Sequence, residues 1–345
     1  MYVTGTGMVC SVGLNAASAC AAMRAGISGF TELPYLDNQG KPIVGAIVPG
    51  LPDNLKREER LVELLALALL DCLKTSPPEP LESIPLLVGL AEPDRPGGGA
   101  SLTKSIVARM QERLGMRFHP SLSRAIPKGH TAGFEALRIA RDVFNQRGAA
   151  ACLVCGMDSY ISATSLLWLE QHWRLKTEDN SDGVIPGEAA AAMIIQSQIR
   201  EQNNADLGIV GLGFATENAG VLTDEPILGL GLADAARAAL KEARRGMHEI
   251  DSRVSDVSGE SYGFKEQALS LARVMRERRE DLPLWHSADS IGETGAATGI
   301  VQVVNCSWKF RRHHFPDAYT ICFTSAVPGE RAVSVLQNCA KSRML

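Results

Sequence analysis

Nothing in this chain would take it into or through a membrane. Its amino terminus has no basic segment ahead of an apolar core, so we find no export signal. The 345 residues contain no stretch of 18 uncharged apolar residues, which excludes a membrane-spanning helix. We therefore expect a cytoplasmic protein.

The chain also carries little net charge, formally -4, so its electrostatics give no reason to expect a nucleic-acid partner. Gly5 and Gly7 begin a G-x-G pattern, but Cys10 replaces the third glycine and no acidic residue follows at the spacing of a dinucleotide site. A chain of this length buries a large core without a metal or a disulfide. We predict no cofactor and no metal.

The eight cysteines are predicted to be thiols, as expected in a reducing compartment. Cys152 and Cys155 form a C-x-x-C, but they lie in the apolar run AAACLVCG, which is typical of a buried strand. Residues three apart in a strand point to opposite faces. Since no second pair follows at zinc-site spacing, we predict two buried strand cysteines.

Apolar strand-like runs alternate with amphipathic helical segments along the whole chain, which predicts α/β layers. The strongest helical pattern is REERLVELLALALLDCLK, with leucines on one face. Further helices should end at Gly115 and Gly148. The alternation of strands and helices repeats after about residue 200, so we divide the chain into halves 1–203 and 204–345.

Four ordered segments carry a family resemblance. VTGTGMVCSVG, the A-G-I-S-G that follows it, SDGVIPGEAAAAMII and SIGETGAATGIV resemble motifs of the β-ketoacyl synthase branch of the thiolase fold. Their order and separations agree with that family over nearly the whole chain. The resemblance implies two similar βαβ halves in a five-layer α-β-α-β-α core. It also implies a dimer, in which the strand ACLVCGM pairs with its copy across a two-fold axis.

Family members form carbon–carbon bonds with one cysteine at the start of a buried helix and two histidines. Counting back from the helix GFEALRIARD places the cysteine position at or next to Ile126. The two histidine positions fall on Ser258 and Glu293. None of these residues can do the family's chemistry, so we predict that no catalytic triad is intact.

Three further residues are candidates to line the pocket that corresponds to the family's active site. The carboxy-terminal glycine loop of the family is reduced to TSAVPGERA, which retains Gly329. His130 lies one helical turn past Ile126. Ser261 is the centre of Gly259-Glu260-Ser261-Tyr262-Gly263, a G-x-S-x-G that is also the nucleophile elbow of serine hydrolases.

A hydrolase would place that serine earlier in the chain and follow it with an acid and then a histidine. The possible catalytic partners of Ser261 are Asp281, Asp289, His286 and two histidines at 313 and 314. Only their order along the chain suggests them. The pentapeptide is therefore predicted to be an altered histidine loop, with serine hydrolysis as a distant alternative.

These observations predict a thiolase-like, acyltransferase-related pseudoenzyme. It would be a partner of an active synthase, like a chain-length factor, or a scaffold in a bacterial gene cluster such as a secretion system. The partners expected are a second copy or an active ketosynthase, and acyl carrier protein. The basic stretch 311–314 is either a solvated helix end or a contact for that acidic carrier. The alternative is an active 3-oxoacyl synthase in fatty-acid or polyketide biosynthesis whose nucleophile lies elsewhere.

Overall fold

The computed structural model describes residues 1–52, 54–75, 77–198, 207–277, 279, 281–311 and 317–339. Strands in this part of the chain are β1 (Tyr2–Cys10), β2 (Thr31–Leu36), β3 (Pro42–Gly45), β4 (Leu86–Leu90), β5 (Arg124–Pro127), β6 (Ala151–Ser159), β7 (Glu188–Gln196), β8 (Leu207–Thr216), β9 (Ser252–Ser255), β10 (Leu284–His286), β11 (Tyr319–Ser325) and β12 (Glu330–Asn338).

The α-helices are α1 (Ala16–Arg24), α2 (Arg57–Cys72), α3 (Leu102–Leu114), α4 (Ala132–Arg147), α5 (Ala163–Gln171), α6 (Leu230–Ala243), α7 (Ser261–Val274), α8 (Ala288–Ile291) and α9 (Thr298–Arg311). Short 3₁₀ turns, Gly129–Thr131 and Gly295–Ala297, precede α4 and α9. Helices α3 and α4 are followed by Gly115 and Gly148 in the left-handed conformation, as predicted. No helix of the described residues is long and apolar enough to cross a membrane.

The two halves repeat one strand order. The first half runs β5-β4-β6-β7-β1 and the second β10-β9-β11-β12-β8. The first three strands in each of these orders, β5-β4-β6 and β10-β9-β11, pair in parallel. The remaining pairs in each half are antiparallel. β1 and β8 pair at Tyr2–Gly208 and Val3–Leu207, which joins the two sheets. The predicted boundary at 203/204 lies outside the described residues and stays a prediction.

Helices α4 and α9 lie between the two sheets, while α2 and α3 cover the outer face of the first and α6 and α7 that of the second. This is the predicted α-β-α-β-α order. Strand β7 shows how sequence builds it, because Ala189, Ala191 and Met193 face the central helices and Ala190 faces α2. A strand buried on both faces needs apolar side chains along its length, and AAAAMII at 189–195 supplies them.

The same alternation places Cys152 in the central core and Cys155 in the outer core, as the strand reading predicted. The expectation that this strand, β6, pairs with its copy across a two-fold axis is wrong. β6 is not an edge, since β7 and β4 pair with its two sides. The described edges of the joined sheet are β5 and β10. Sequence hydrophobicity misled here because internal strands and partner-covered edges are equally apolar.

Candidate functional site

Three side chains from different parts of the chain meet between the two halves. His130 lies in the turn before α4, Ser258 in the loop after β9, and Glu293 between α8 and α9. One Glu293 oxygen lies 2.9 Å from His130 Nε2, and the other accepts a hydrogen bond from Ser258 Oγ at 2.7 Å. His130 is 4% exposed and Glu293 is 5% exposed. The sequence named all three residues, and the structure brings them together.

The backbone fixes Glu293 in place. Its N–H donates to the Ile185 carbonyl at 2.8 Å, and its carbonyl accepts from Gly187 N–H at 3.0 Å. The carboxylate also accepts from Gly295 N–H at 2.7 Å. A carboxylate with this many donors is held in its ionised form.

The turn that follows Glu293 is positioned by an aspartate that the sequence analysis missed. Asp158, at the end of β6, accepts from the N–H of Ala296 at 2.9 Å and forms a buried ion pair with Arg95. Gly295 has a φ of 46°, and a Cβ added there would lie 2.1 Å from the Asp158 carboxylate. Glycine is therefore required where the turn approaches this carboxylate.

Electrostatic interactions keep both His130 and Glu293 charged, so the two side chains form an ion pair. Burial opposes charge on His130, but the Glu293 carboxylate and its hydrogen bond outweigh it and raise the pKa of His130 to about 9. Burial alone would likewise raise the pKa of Glu293. The His130 charge and the hydrogen bonds from His130, Ser258 and Gly295 instead lower that pKa to about 2. Both groups are thus charged at neutral pH.

A third carboxyl group at the site behaves differently. Burial raises the pKa of Asp256 to about 6, although the charge of His130 and the N–H of Ser325 act in the opposite direction. The Ser325 N–H donates to Asp256 at 2.5 Å. Among the three titratable groups, Asp256 is therefore the one that changes charge near neutral pH.

The cavity beside this cluster is small, at about 50 Å³. Its lining includes His130, Ser258, Glu293, Arg174 and Asp256. Sites for small organic ligands have volumes of about 300–1,000 Å³. A cavity of this size instead has room for a few water molecules.

The interior behind His130 is filled by the packing of α4 on α9. Phe134, one turn into α4, is fully buried and lies beside Gly299, where an added Cβ would be 3.5 Å from its ring. Gly133 faces Ile300 in the same way, with an added Cβ 2.9 Å from that side chain. These two contacts close the helix interface directly behind the cavity.

Arg174 is a second site residue that the sequence analysis missed. Its Nε and Nη2 each donate to one oxygen of Glu260 at 2.7 Å. The pair connects the segment after α5 to the residue before α7, and so ties the first half to the second. Isolated arginines give no sequence signal, and only the fold shows that Arg174 is 7% exposed.

Ile126 lies away from the cluster. It is part of β5, where it pairs with Gly89, and its side chain belongs to the core between the sheets. The turn before α4 begins at Gly129, three residues later. The residue at the start of the buried helix, next to Glu293 and Ser258, is His130.

Ser261 is the first residue of α7 and is exposed. Its hydroxyl donates to Asp182 at 2.6 Å, and its N–H donates to the same carboxylate at 2.5 Å. Gly259, with a φ of 113°, passes so close to Gly183 that an added Cβ would lie 2.6 Å from its carbonyl oxygen. The sequence analysis offered several acids and histidines as catalytic partners of Ser261. Two of them, the histidines at 313 and 314, lie outside the described residues.

Gly329 forms the turn between β11 and β12 with a φ of 118°. Its carbonyl accepts from Glu217 N–H at 2.8 Å, and an added Cβ would lie 2.5 Å from the Glu217 carbonyl oxygen. Ala326 and Val327, in the same turn, line the cavity. The basic stretch at 311–314 can be placed only at Arg311, the last residue of α9, because 312–314 are outside the described residues.

The described residues contain no cluster of three or more His, Cys, Asp or Glu side chains suited to hold a metal ion. No cysteine lines the cavity described above. Seven of the eight cysteines are buried thiols.

No family model matches the chain, and no curated protein matches it in sequence. Solved structures do resemble it. A type II polyketide synthase acyl-carrier protein in complex with its ketosynthase matches with a TM-score of 0.82 at 17% identity, over 97% of this chain and 98% of that chain. The ishigamide ketosynthase/chain length factor matches with 0.80 at 15% identity, over 98% of each chain.

A ketosynthase in complex with its chain length factor from Xenorhabdus doucetiae gives a TM-score of 0.76 at 13% identity, again over 98% of each chain. At such identities the likeness establishes the fold. The strand order, the five layers and these structures agree with the motifs read from the sequence: the chain has the thiolase-like fold of the β-ketoacyl synthases.

Proposed function

We propose that this chain is a non-condensing β-ketoacyl-synthase-like subunit that serves as a partner or scaffold beside an active ketosynthase in polyketide or fatty-acid assembly. The observation that carries the proposal is the buried His130–Glu293 ion pair at the start of α4. In this proposal the pair takes the places of the reactive cysteine and of one of the two histidines that condensing members of the family use.

In this proposal His130, rather than Ile126, stands at the nucleophile position. The supporting observations are its place in the turn that opens the buried helix α4 and its contact with Glu293. Ile126 lies four residues earlier within a strand. The three degenerate positions are then His130, Ser258 and Glu293.

None of the three has the chemistry for acyl transfer. His130 is protonated at neutral pH, so it has no lone pair with which to accept a proton. Glu293, with its lowered pKa, is too weak a base to activate the Ser258 hydroxyl that it holds. The cavity that these residues line, about 50 Å³, is itself too small for an acyl chain.

For the partner, we propose pairing along β5. This strand is an edge of the described sheet, and its last residue, Pro127, is three residues from His130. An edge strand presents unpaired backbone groups, which a strand from a second chain can satisfy. Ketosynthase complexes with a chain length factor or an acyl-carrier protein are among the similar structures, which supports a ketosynthase partner and carrier contact.

The first prediction is that the purified chain catalyses no condensation. Incubation with acyl-loaded and malonyl-loaded carrier protein should give no ketoacyl product and no covalent acyl-protein adduct by mass spectrometry. The reason is the absence of an activated nucleophile at position 130. Product that persists after host synthases are removed would support the alternative, an active synthase with another nucleophile.

A cysteine scan tests which residue holds the nucleophile position. We make His130→Cys together with Glu293→Gln, so that no buried carboxylate is left without its cation. We expect this variant to react with iodoacetamide at least tenfold faster than Ile126→Cys, because residue 130 lines a cavity and residue 126 packs in the core. Peptide mass spectrometry would quantify both against the seven buried native thiols. Faster labelling at 126 would return the position to Ile126.

Cross-linking tests the pairing edge. If β5 pairs with a second copy, light scattering should report twice the 37.0 kDa chain mass, and a short bis-maleimide should cross-link Ala125→Cys. The matched control is Trp285→Cys on the opposite edge, β10, which should stay uncross-linked. A monomer that dimerises only on mixing with a ketosynthase favours the mixed pair, and cross-linking at 285 alone contradicts the choice of edge.

The His130–Glu293 pair should make stability depend on pH. The pKa of His130 is about 9 in the folded chain and about 6.5 when unfolded, so its stabilisation is complete below pH 6.5 and is lost as the pH rises through 9. This shift corresponds to about 3 kcal/mol in the free energy of unfolding. The Glu293 contribution is present above pH 4.5 and is lost as the pH falls through 2.

Urea unfolding at pH 6 and pH 9 measures the alkaline loss. The control is the double variant His130→Gln with Glu293→Gln, which keeps a hydrogen bond but removes both charges. Its free energy of unfolding should fall less between the two pH values than that of the native chain. An equal fall in both proteins would show that other groups cause it.

A further inference from the structure

The chain that leaves α5 places a tryptophan in a backbone conformation that favours glycine. Trp173 follows the C-cap of the helix and has a φ of 55°. Its N–H donates to the Glu170 carbonyl at 3.0 Å, and the N–H of Arg174 donates to the Leu169 carbonyl at 2.8 Å. Helices commonly end in this left-handed conformation with a glycine, because a larger side chain is strained there. The backbone of α5 therefore gives no reason for an indole at this position.

Packing in the core does not account for Trp173 either. It is 75% exposed, more than any other large apolar residue in the described part of the chain. Tryptophans in folded proteins are on average highly buried. Tryptophan is also among the residue types that contribute most to binding at protein interfaces. The exposed indole thus indicates a contact with a molecule outside the chain.

A cavity of about 110 Å³ lies beside the indole, and we call it the Trp173 notch. Its walls are Trp173, Leu175 and polar residues at 37–39, 170, 177, 179 and 180. The turn of the β2–β3 hairpin is fixed against α5, because Asn38 N–H donates to the Glu170 carboxylate at 2.7 Å. On the other wall, Asn180 Nδ2 donates to the Trp173 carbonyl at 2.8 Å. Small organic ligands need about 300–1,000 Å³, so the notch has room for the end of one side chain.

The Trp173 notch is negatively charged. The described residues that line it include three acids, Asp37, Glu170 and Asp179, and no lysine, arginine or histidine. Asp179 is exposed and the other two acids are half-buried, so all three keep contact with solvent. Lys41, outside the lining, is paired with the exposed Glu178. Carboxylates beside an aromatic face attract a cation and repel an anion such as a phosphate.

We propose that the Trp173 notch docks an arginine side chain of a partner protein, with the guanidinium stacked on the indole and hydrogen-bonded to the carboxylates. Arginine fits this site better than lysine, because its planar guanidinium stacks on aromatic rings and donates to a carboxylate through two parallel N–H groups. The inference is independent of the proposed ketosynthase partner. The notch is formed by α5, the segment after it and the β2–β3 hairpin, whereas the pairing proposed above uses β5.

Fluorine NMR of the full chain tests this docking. Incorporation of 5-fluorotryptophan labels the four tryptophans, and the signal that Trp173→Phe removes is that of Trp173. The probe is acetyl-Gly-Gly-Arg-Gly-Gly-amide, and the controls are the same peptide with lysine or with neutral citrulline. The arginine peptide should shift the Trp173 signal saturably and bind about tenfold more tightly than the citrulline peptide. Asp179→Asn should weaken its binding about threefold, whereas the control Asp289→Asn, on α8, should not.

Trp173→Gly separates docking from a structural role. Because glycine is favoured at this φ, the variant should unfold at the temperature of the native chain or above it. It should also lose saturation transfer to the arginine peptide. A clear fall in unfolding temperature would show that the indole supports the fold and would overturn the proposal. Equal binding of the arginine and citrulline peptides, equal binding of the lysine peptide, or the absence of a saturable shift would overturn it as well.

Discussion

The contact on which the two halves of this protein depend is the carboxylate of Glu293. It accepts hydrogen bonds from Ser258 and from Gly295 in the second half, and it holds His130 of the first. The same residue pairs through its backbone with Ile185 and Gly187 of the first half. A single residue thus fixes the start of both central helices, α4 and α9, and these helices carry the packing between the sheets.

Other buried charges around this contact are paired across the molecule. Arg95 with Asp158 holds the turn before α9, and Arg174 with Glu260 joins the end of α5 to the start of α7. Such pairs add little net stability, because desolvation offsets their attraction, but removing one partner leaves an uncompensated charge. They therefore restrict how the halves can dock.

The parts of the fold that depend on local pattern could be predicted from the sequence. The leucine face of α2, the glycine stops after α3 and α4, and the opposite faces of Cys152 and Cys155 all follow from periodicity and backbone preference. The order of strands does not follow, because β6 and an edge strand can have the same composition. Family motifs were needed for the two-fold repeat of the halves.

Motifs that run through a single turn named Ser258 and Glu293, and the structure places these two side chains in contact. Under the proposed function the nucleophile position is His130 and not Ile126. Counting back from a helix assumes where the helix begins, and here a 3₁₀ turn at Gly129–Thr131 precedes α4. Arg174 and Asp158 had no signal, since their importance comes from burial beside residues that are distant in sequence. A charged residue on a strand end or loop looks solvated until the fold shows otherwise.

The interdependence of His130 and Glu293 means that, under the proposed function, no single substitution at this site would supply condensing chemistry. Replacing His130 by cysteine alone would leave Glu293 ionised, buried and without its cation, which is among the most destabilising changes a core can receive. Replacing Glu293 alone would remove the carboxylate that raises the pKa of His130, and burial would then favour the neutral imidazole, still without a thiol at the site. The cavity would remain small in either case, because Phe134 and Ile300 are held by the packing of α4 on α9. Each residue thus constrains the other, and the pair holds the two halves together at the start of both central helices.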